Sequence, residues 1–159
     1  MVQVGEPSEE DCSQLVSIVE SMGDCFTVEE RDLLKELLNA YFSENKDKYL
    51  LKIAKDSNNK VLGFVIYKQA DLSKSYWDIY WLVVSPENRR KKIGTNLLTA
   101  VENEVKQKGG TAILVEASST AKYEPARKLY EKMGYEQVCK LENYYAPHDD
   151  KILYRKGVR

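Results

Sequence analysis

Residues 80–95 read Tyr80-Trp81-Leu82-Val83-Val84-Ser85-Pro86-Glu87-Asn88-Arg89-Arg90-Lys91-Lys92-Ile93-Gly94-Thr95, and the fold follows from how this stretch is punctuated. Its first half is aromatic and aliphatic, as in a buried strand, and Pro86 ends that strand because proline cannot extend the hydrogen-bonded ladder. Beyond the turn, Ile93, Leu97, Leu98, Val101 and Val105 recur at helical spacing. Four consecutive cations, Arg89, Arg90, Lys91 and Lys92, therefore sit where a helix begins. A bare basic run is most often a solvated patch. Here it feeds a helix start, where unpaired backbone N–H groups and the positive end of the dipole favour an anion and Gly94 allows close approach. The spacing predicts a cradle for a pyrophosphate.

Outward from this turn, Gly109-Gly110 stops the helix before a strand at 112–116, completing a strand–helix–strand unit with the strand at 76–84. A helix at 125–133 ends at Gly134, and strands at 135–141 and 151–154 follow. Upstream, strands at 49–54 and 61–67 flank a polar turn with Asn58 and Asn59 and form a hairpin. Before them lie two helical patterns. One spans 8–22, with Ser8 as cap and Leu15, Val16, Ile18, Val19 and Met22 as its apolar face. The other begins after Thr27, with Leu33, Leu34, Leu37, Leu38 and Tyr41 as its buried stripe. The order predicts an α/β (α+β mixed) fold.

The chain of 159 residues suits one domain over 1–159. Its 24 Lys and Arg balance 25 Asp and Glu, so no global field draws it to nucleic acid or an anionic membrane, and any basic site is local. No apolar run approaches the ~20 residues that cross a bilayer, and residues 1–10 lack the pattern of a secretion signal, so the expectation is cytoplasmic. Cys12, Cys25 and Cys139 are scattered and read as reduced thiols. With His148 as the only histidine, a histidine triad or metal site has almost no material, and no metal is expected.

In these ordered pieces the sequence resembles the GNAT superfamily of acyl-CoA-dependent N-acyltransferases. The family's turn runs Arg or Gln, two residues, Gly, one residue, then Gly or Ala; Arg89, Ile93 and Gly94 fall into place. Lys92 stands where the first glycine is usual, so the backbone there must avoid or tolerate a positive φ, and its charge can contact phosphate. Ala126-Arg127-Lys128-Leu129-Tyr130-Glu131-Lys132-Met133-Gly134-Tyr135 is similar to the family's second signature. The resemblance covers 76–154; earlier residues match only in pattern. It implies a central mixed, mostly antiparallel sheet of about six to seven strands flanked by about four helices. It also implies acetyl-CoA as cosubstrate, direct transfer to a primary amine in a ternary complex, and a monomer or homodimer without nucleic-acid or membrane partners.

The resemblance also distributes roles. Arg89, Arg90, Lys91, Lys92, Ile93, Gly94 and Thr95 would hold the pyrophosphate, and the backbone of Leu82, Val83 and Val84 the pantetheine arm. Tyr130 matches the tyrosine that protonates the departing thiolate; its other reading is a packed aromatic. Glu116, closing its strand, is the leading base, or holds the substrate ammonium by charge, or pairs structurally with a nearby lysine. Relatives often place an asparagine in the next loop to contact CoA; none is present, and Ser118, Ser119 or Tyr123 can substitute. The segment 143–150 reads either as a loop between the final strands, with Tyr144 and Tyr145 lining the acceptor pocket and Asp149 or Asp150 attracting an amine, or as a hairpin turn with incidental tyrosines. Asp78 and Tyr80, two apart on one strand face, rank below Glu116. The altered glycine and missing asparagine leave a second reading open, a CoA-binding regulatory module without transfer activity.

Overall fold

A computed structural model describes residues 1–43 and 48–158. Strand β1 (Gln3–Gly5) precedes a short 3-10 turn and helices α1 (Cys12–Glu20) and α2 (Val28–Ser43). Strands β2 (Leu50–Lys55), β3 (Val61–Gln69) and β4 (Tyr76–Val84) follow, then α3 (Ile93–Gln107), β5 (Ala112–Ser118), α4 (Glu124–Lys132), β6 (Glu136–Ala146) and β7 (Asp149–Gly157). The strands form a seven-stranded sheet ordered β1-β2-β3-β4-β5-β7-β6. β4 and β5 are parallel, whereas β1–β2, β2–β3, β5–β7 and β6–β7 are antiparallel. This is the mixed sheet with four α-helices that the sequence predicts. The short β1 escaped the sequence reading, because three residues carry too little periodicity to register.

Two compact units divide the chain, 1–68 with 81–101, and 69–80 with 102–159. In the first, α2 starts on reciprocal side-chain bonds, and the 3-10 turn before α1 on a bond between Ser8 and Asp11. Thr27 Oγ1 accepts from the Glu30 N–H while Glu30 Oε1 accepts from the Thr27 N–H, each at 3.1 Å. The Ser8 N–H donates to Asp11 Oδ2 at 2.8 Å. Leu34 and Leu38 of α2 are fully buried, but Leu33, expected in the stripe, is 57% exposed. Adjacent helical residues point about 100° apart, and the buried line of α2 runs through Leu34 and Leu38, which leaves Leu33 on its exposed side. β3 is buried from Val61 to Tyr67, as a central strand must be. A Cβ on its Gly63 would meet the Val83 carbonyl at 2.7 Å and Ile93 Cγ2 at 3.2 Å. Glycine there lets β3 run hard against the end of β4 and the first residue of α3.

In the second unit β4 pairs with β5 from Tyr76↔Ala112 to Ile79↔Val115, and that ladder ends there while β5 continues on its β7 side to Ser118↔Lys151. α4 closes at Gly134, whose φ of 90° is the left-handed conformation glycine adopts at little cost. The Tyr135 N–H then reaches back to the Tyr130 carbonyl at 2.9 Å, the six-to-one bond of a Schellman stop. The segment 143–150 takes the hairpin alternative rather than the loop. β6 extends to Ala146 and β7 starts at Asp149, leaving Pro147 and His148 (φ 65°) as the tip. A left-handed residue after proline is the type II turn pattern, which lets the strands run almost to the tip. The β6–β7 register jumps between Leu141↔Lys151 and Ala146↔Asp149, so 142–145 bulge from β6.

Candidate active site

In the first unit, the β4 strand ends where the Ser85 N–H donates to the Leu62 carbonyl at 2.9 Å, and a 3-10 turn at Pro86–Asn88 leads to the cations. Asn88 Nδ2, buried, donates to Ser85 Oγ at 2.7 Å and fixes the exit from the strand. Arg90 and Lys92 both take left-handed backbone, with φ of 64° and 63°. The turn thus tolerates the positive φ anticipated at Lys92 and repeats it at Arg90. Each left-handed non-glycine costs ~1–2 kcal/mol, a strain characteristic of ligand-binding turns. Such residues swing successive N–H groups to one side, as anion-binding nests do. The Lys92 carbonyl accepts the Asn96 N–H at 3.0 Å, so α3 opens with the N–H groups of Ile93, Gly94 and Thr95 beyond its intrahelical bonds. Exposed Arg90, Lys91 and Lys92 side chains surround that start, while Ile93 and Gly94 are buried. Donors and charge fit a pyrophosphate. Val83 is buried, and Leu82 and Val84 are half-buried.

Arg89 has a partner that sequence reasoning missed. Its Nη1 lies 2.7 Å from Asp24 Oδ2, and its Nη2 lies 3.4 Å from Cys25 Sγ, on the segment between α1 and α2. This hydrogen bond holds the Asp24 carboxyl below its ordinary range and raises the guanidinium, while burial pushes the Cys25 thiol up. Separation by 65 positions in sequence left no local signal for the pair.

In the second unit, Tyr130 is buried, with its ring 5.9 Å from Tyr135 and 5.7 Å from Tyr154. Burial, and secondarily Tyr154, raises its phenol above the ordinary value. It therefore keeps its proton at neutral pH. Glu116 is exposed, and each of its oxygens is engaged: Oε1 lies 3.2 Å from Lys151 Nζ, and Oε2 accepts from the Tyr145 hydroxyl at 3.3 Å. Lys151 also sits 4.5 Å from the Tyr144 ring centroid, and Tyr144 meets Tyr145 edge to face at 5.0 Å. Three anticipated residues, Glu116, Tyr144 and Tyr145, are thus gathered by an unanticipated Lys151. Strand alternation alone could not find it, because its partner lies on β5. Burial lowers the Lys151 ammonium, but the hydrogen bond and charge of Glu116 more than offset this and leave it raised. Burial and then Glu116 raise the Tyr145 phenol.

Asp78 pairs in register with Leu114, one pleat before Glu116 on the same face, and Tyr80 is exposed. Asp149 and Asp150, expected to attract the amine, both have partners within the strands. Asp149 accepts from the Ser118 hydroxyl, and Asp150 takes the Asn143 N–H at 2.8 Å and pairs with Lys140 at 3.4 Å. A bulge leaves backbone groups without ladder partners, and Asp150, accepting the Asn143 N–H, fastens this one. Ser119 Oγ accepts from the Asp150 N–H at 2.8 Å, and Tyr123 is half-buried in the 3-10 turn Ala121–Tyr123. Arg127 Nη1 donates to the carbonyls of Ser118 and Thr120 and ties α4 to the end of β5.

Residues 15–135 match the acetyltransferase (GNAT) family. The chain is 29% identical over 107 residues to the N-terminal acetyltransferase B complex catalytic subunit NAA20 of Arabidopsis thaliana, covering 67% of this chain and 61% of that protein. It is 37% identical over 83 residues to the aminoalkylphosphonate N-acetyltransferase of Salmonella typhimurium, covering 50% and 53%. The chain thus spans between half and two thirds of these curated relatives. A crystal structure of a GNAT-family acetyltransferase from Desulfovibrio desulfuricans superposes with a TM-score of 0.91 at 29% identity over 100% of both chains. An aminoglycoside 6'-N-acetyltransferase complexed with coenzyme A shares the fold, with a TM-score of 0.76 at 20% identity over 99% and 97%. Acetyl-CoA is the cosubstrate of the family. With its cationic turn at the start of α3, its Gly134 stop behind Tyr130 and a family match over most of its length, the chain belongs to the GNAT family of acetyltransferases.

Proposed function

We propose that the protein transfers an acetyl group from acetyl-CoA to a primary amine by direct attack, without an acyl-enzyme. The feature that supports this reading is the turn 89–95, where strained left-handed residues and four cations lie at a helix start suited to an anion. Arg89 to Thr95 hold the pyrophosphate, the backbone of Leu82, Val83 and Val84 pairs with the pantetheine arm, and Ser119 and Tyr123 contribute polar contacts. Acetyl-CoA, when bound, supplies the acetyl thioester. Glu116 holds the acceptor ammonium beside Tyr144, Tyr145, Asp78 and Tyr80 and takes its proton, so that the neutral amine attacks the thioester carbonyl, and the Tyr130 hydroxyl gives its proton to the departing thiolate. The phenol carries its proton throughout the neutral range, although burial makes it a weaker acid than a free tyrosine. The named relatives, a subunit of an N-terminal acetyltransferase and an aminoalkylphosphonate acetyltransferase, both take an amine by their names.

A CoA-binding module without transfer activity is the competing reading, favoured by the engagement of both Glu116 oxygens. Thiol release from acetyl-CoA across a panel of amines separates the two. Tyr130→Phe keeps the packed ring, so kcat falls ~10²-fold or more while acetyl-CoA affinity stays within about twofold. An unchanged kcat removes Tyr130 from the chemistry, and acetyl-CoA binding without transfer to any amine leaves the module.

A further inference from the structure

Lys151 is the one member of the Glu116 cluster to which transfer to a plain amine gives no task. Its side chain is 19% exposed against 50% for Glu116, with Nζ between the Glu116 carboxylate and the Tyr144 ring. Ser118↔Lys151 are paired across β5 and β7, so Lys151 shares the face of Glu116 one pleat away. A simple ammonium docking on Glu116 either displaces this cation, leaving it half-desolvated and unpaired, or shares one carboxylate with it. Like charges a few ångströms apart repel, which opposes sharing one carboxylate, and displacement leaves Lys151 without its counter-charge. A ligand that carries its own anion removes the conflict: its ammonium meets Glu116 and its anion meets Lys151, so every charge keeps an opposite neighbour. Exposed Tyr144 and Tyr145 flank the pair.

We propose that the acceptor bears an oxyanion, such as a carboxylate or phosphonate, close to its amine, and that Lys151 is the residue that selects for it. This rests on the transferase reading above. The test uses the full chain with acetyl-CoA and three acceptors matched in length: propylamine, 3-aminopropanoate and 2-aminoethylphosphonate. The oxyanion-bearing amines are expected to exceed propylamine at least ~10-fold in kcat/KM, and Lys151→Met to collapse that ratio towards one. Lys151→Arg retains the ratio, which a merely structural lysine would not require, and thermal unfolding confirms that both variants fold. The two anions distinguish carboxylate from phosphonate, and short peptides with Asp beside the terminal amine, set against the same peptides with Ala there, report whether a peptide supplies the charge. Equal rates for the three amines, or a preference that survives in Lys151→Met, overturn the inference while leaving the transferase intact. Should no amine be acetylated, the transferase reading falls. Equilibrium titration of the same amines into the CoA-loaded protein, followed by tyrosine ring resonances, then decides: tighter binding of the oxyanion-bearing pair that Lys151→Met abolishes supports the inference, and equal binding overturns it.

Discussion

At the scale of single residues the phosphate turn holds two opposing investments of free energy. Lys92 is left-handed at φ 63°, which costs ~1–2 kcal/mol, whereas glycine there would raise unfolded-chain entropy by ~0.5–1 kcal/mol. Lys92→Gly is therefore expected to stabilise the fold by about 0.5–1 kcal/mol in urea unfolding while weakening CoA binding a few-fold through the lost cation. A tightened affinity would mean that the side chain obstructs the phosphate. Asp24 competes with any phosphate for Arg89, being 2.7 Å from its Nη1. Asp24→Asn is expected to tighten CoA binding about two- to fivefold by calorimetry, at a stability cost under ~1 kcal/mol because the pair is exposed. Weaker binding would mean that Asp24 orients Arg89 for its ligand. The sequence displayed the cations of this turn and the candidates Glu116, Tyr144 and Tyr145. It concealed Asp24 and Lys151, since a partner reached only through the fold leaves no local pattern.

At the scale of elements, α4 and its stop position Tyr130. Gly134→Ala puts a Cβ on a residue at φ 90° and is expected to cost ~1–2 kcal/mol. It also loosens the return bond from Tyr135 to Tyr130, so kcat drops with stability; a variant as active as the parent would uncouple the stop from the chemistry. Most elements were legible because their signals are local. Pro86, Gly109-Gly110 and Gly134 stand at the ends of elements, and β4 has the bounds its composition predicts. Where the reading failed, geometry beyond the window decided. Leu33 turns outward because the core line of α2 runs through Leu34 and Leu38. Residues 143–146 join β6 because Asn143, Asp150 and Lys140 fasten a bulge that polar composition disguises as a loop.

For the whole molecule, two linkages are measurable. A ligand that binds only the folded chain stabilises it by ~2.7 kcal/mol at 100 times its Kd, so saturating CoA is expected to raise Tm by about 5–10 °C, and no shift would refute the cradle. Asp11 is buried and pairs with Lys55 Nζ at 2.7 Å; burial raises its carboxyl, but Lys55 and Ser8 more than offset this and leave it lowered. A lowered carboxyl contributes stability above its unfolded value of 3.8 that is lost as pH falls through the folded value. Lys55→Met is expected to cost about 2 kcal/mol at pH 7, a difference that shrinks as the Asp11 carboxyl is protonated in acid, as urea titrations at neutral and acid pH would read. No helix among the described residues is long and apolar enough to cross a membrane. The sheet ends on β6, whose Val138, Leu141, Tyr144 and Tyr145 are 45–55% exposed along an open edge. Flat edges of this kind recruit further strands and seed fibrils. The bulge at 142–145 and the lysine at 140 interrupt that template, so the irregularity that brings Tyr144 and Tyr145 to Lys151 also guards the protein against self-templated aggregation in a crowded solution.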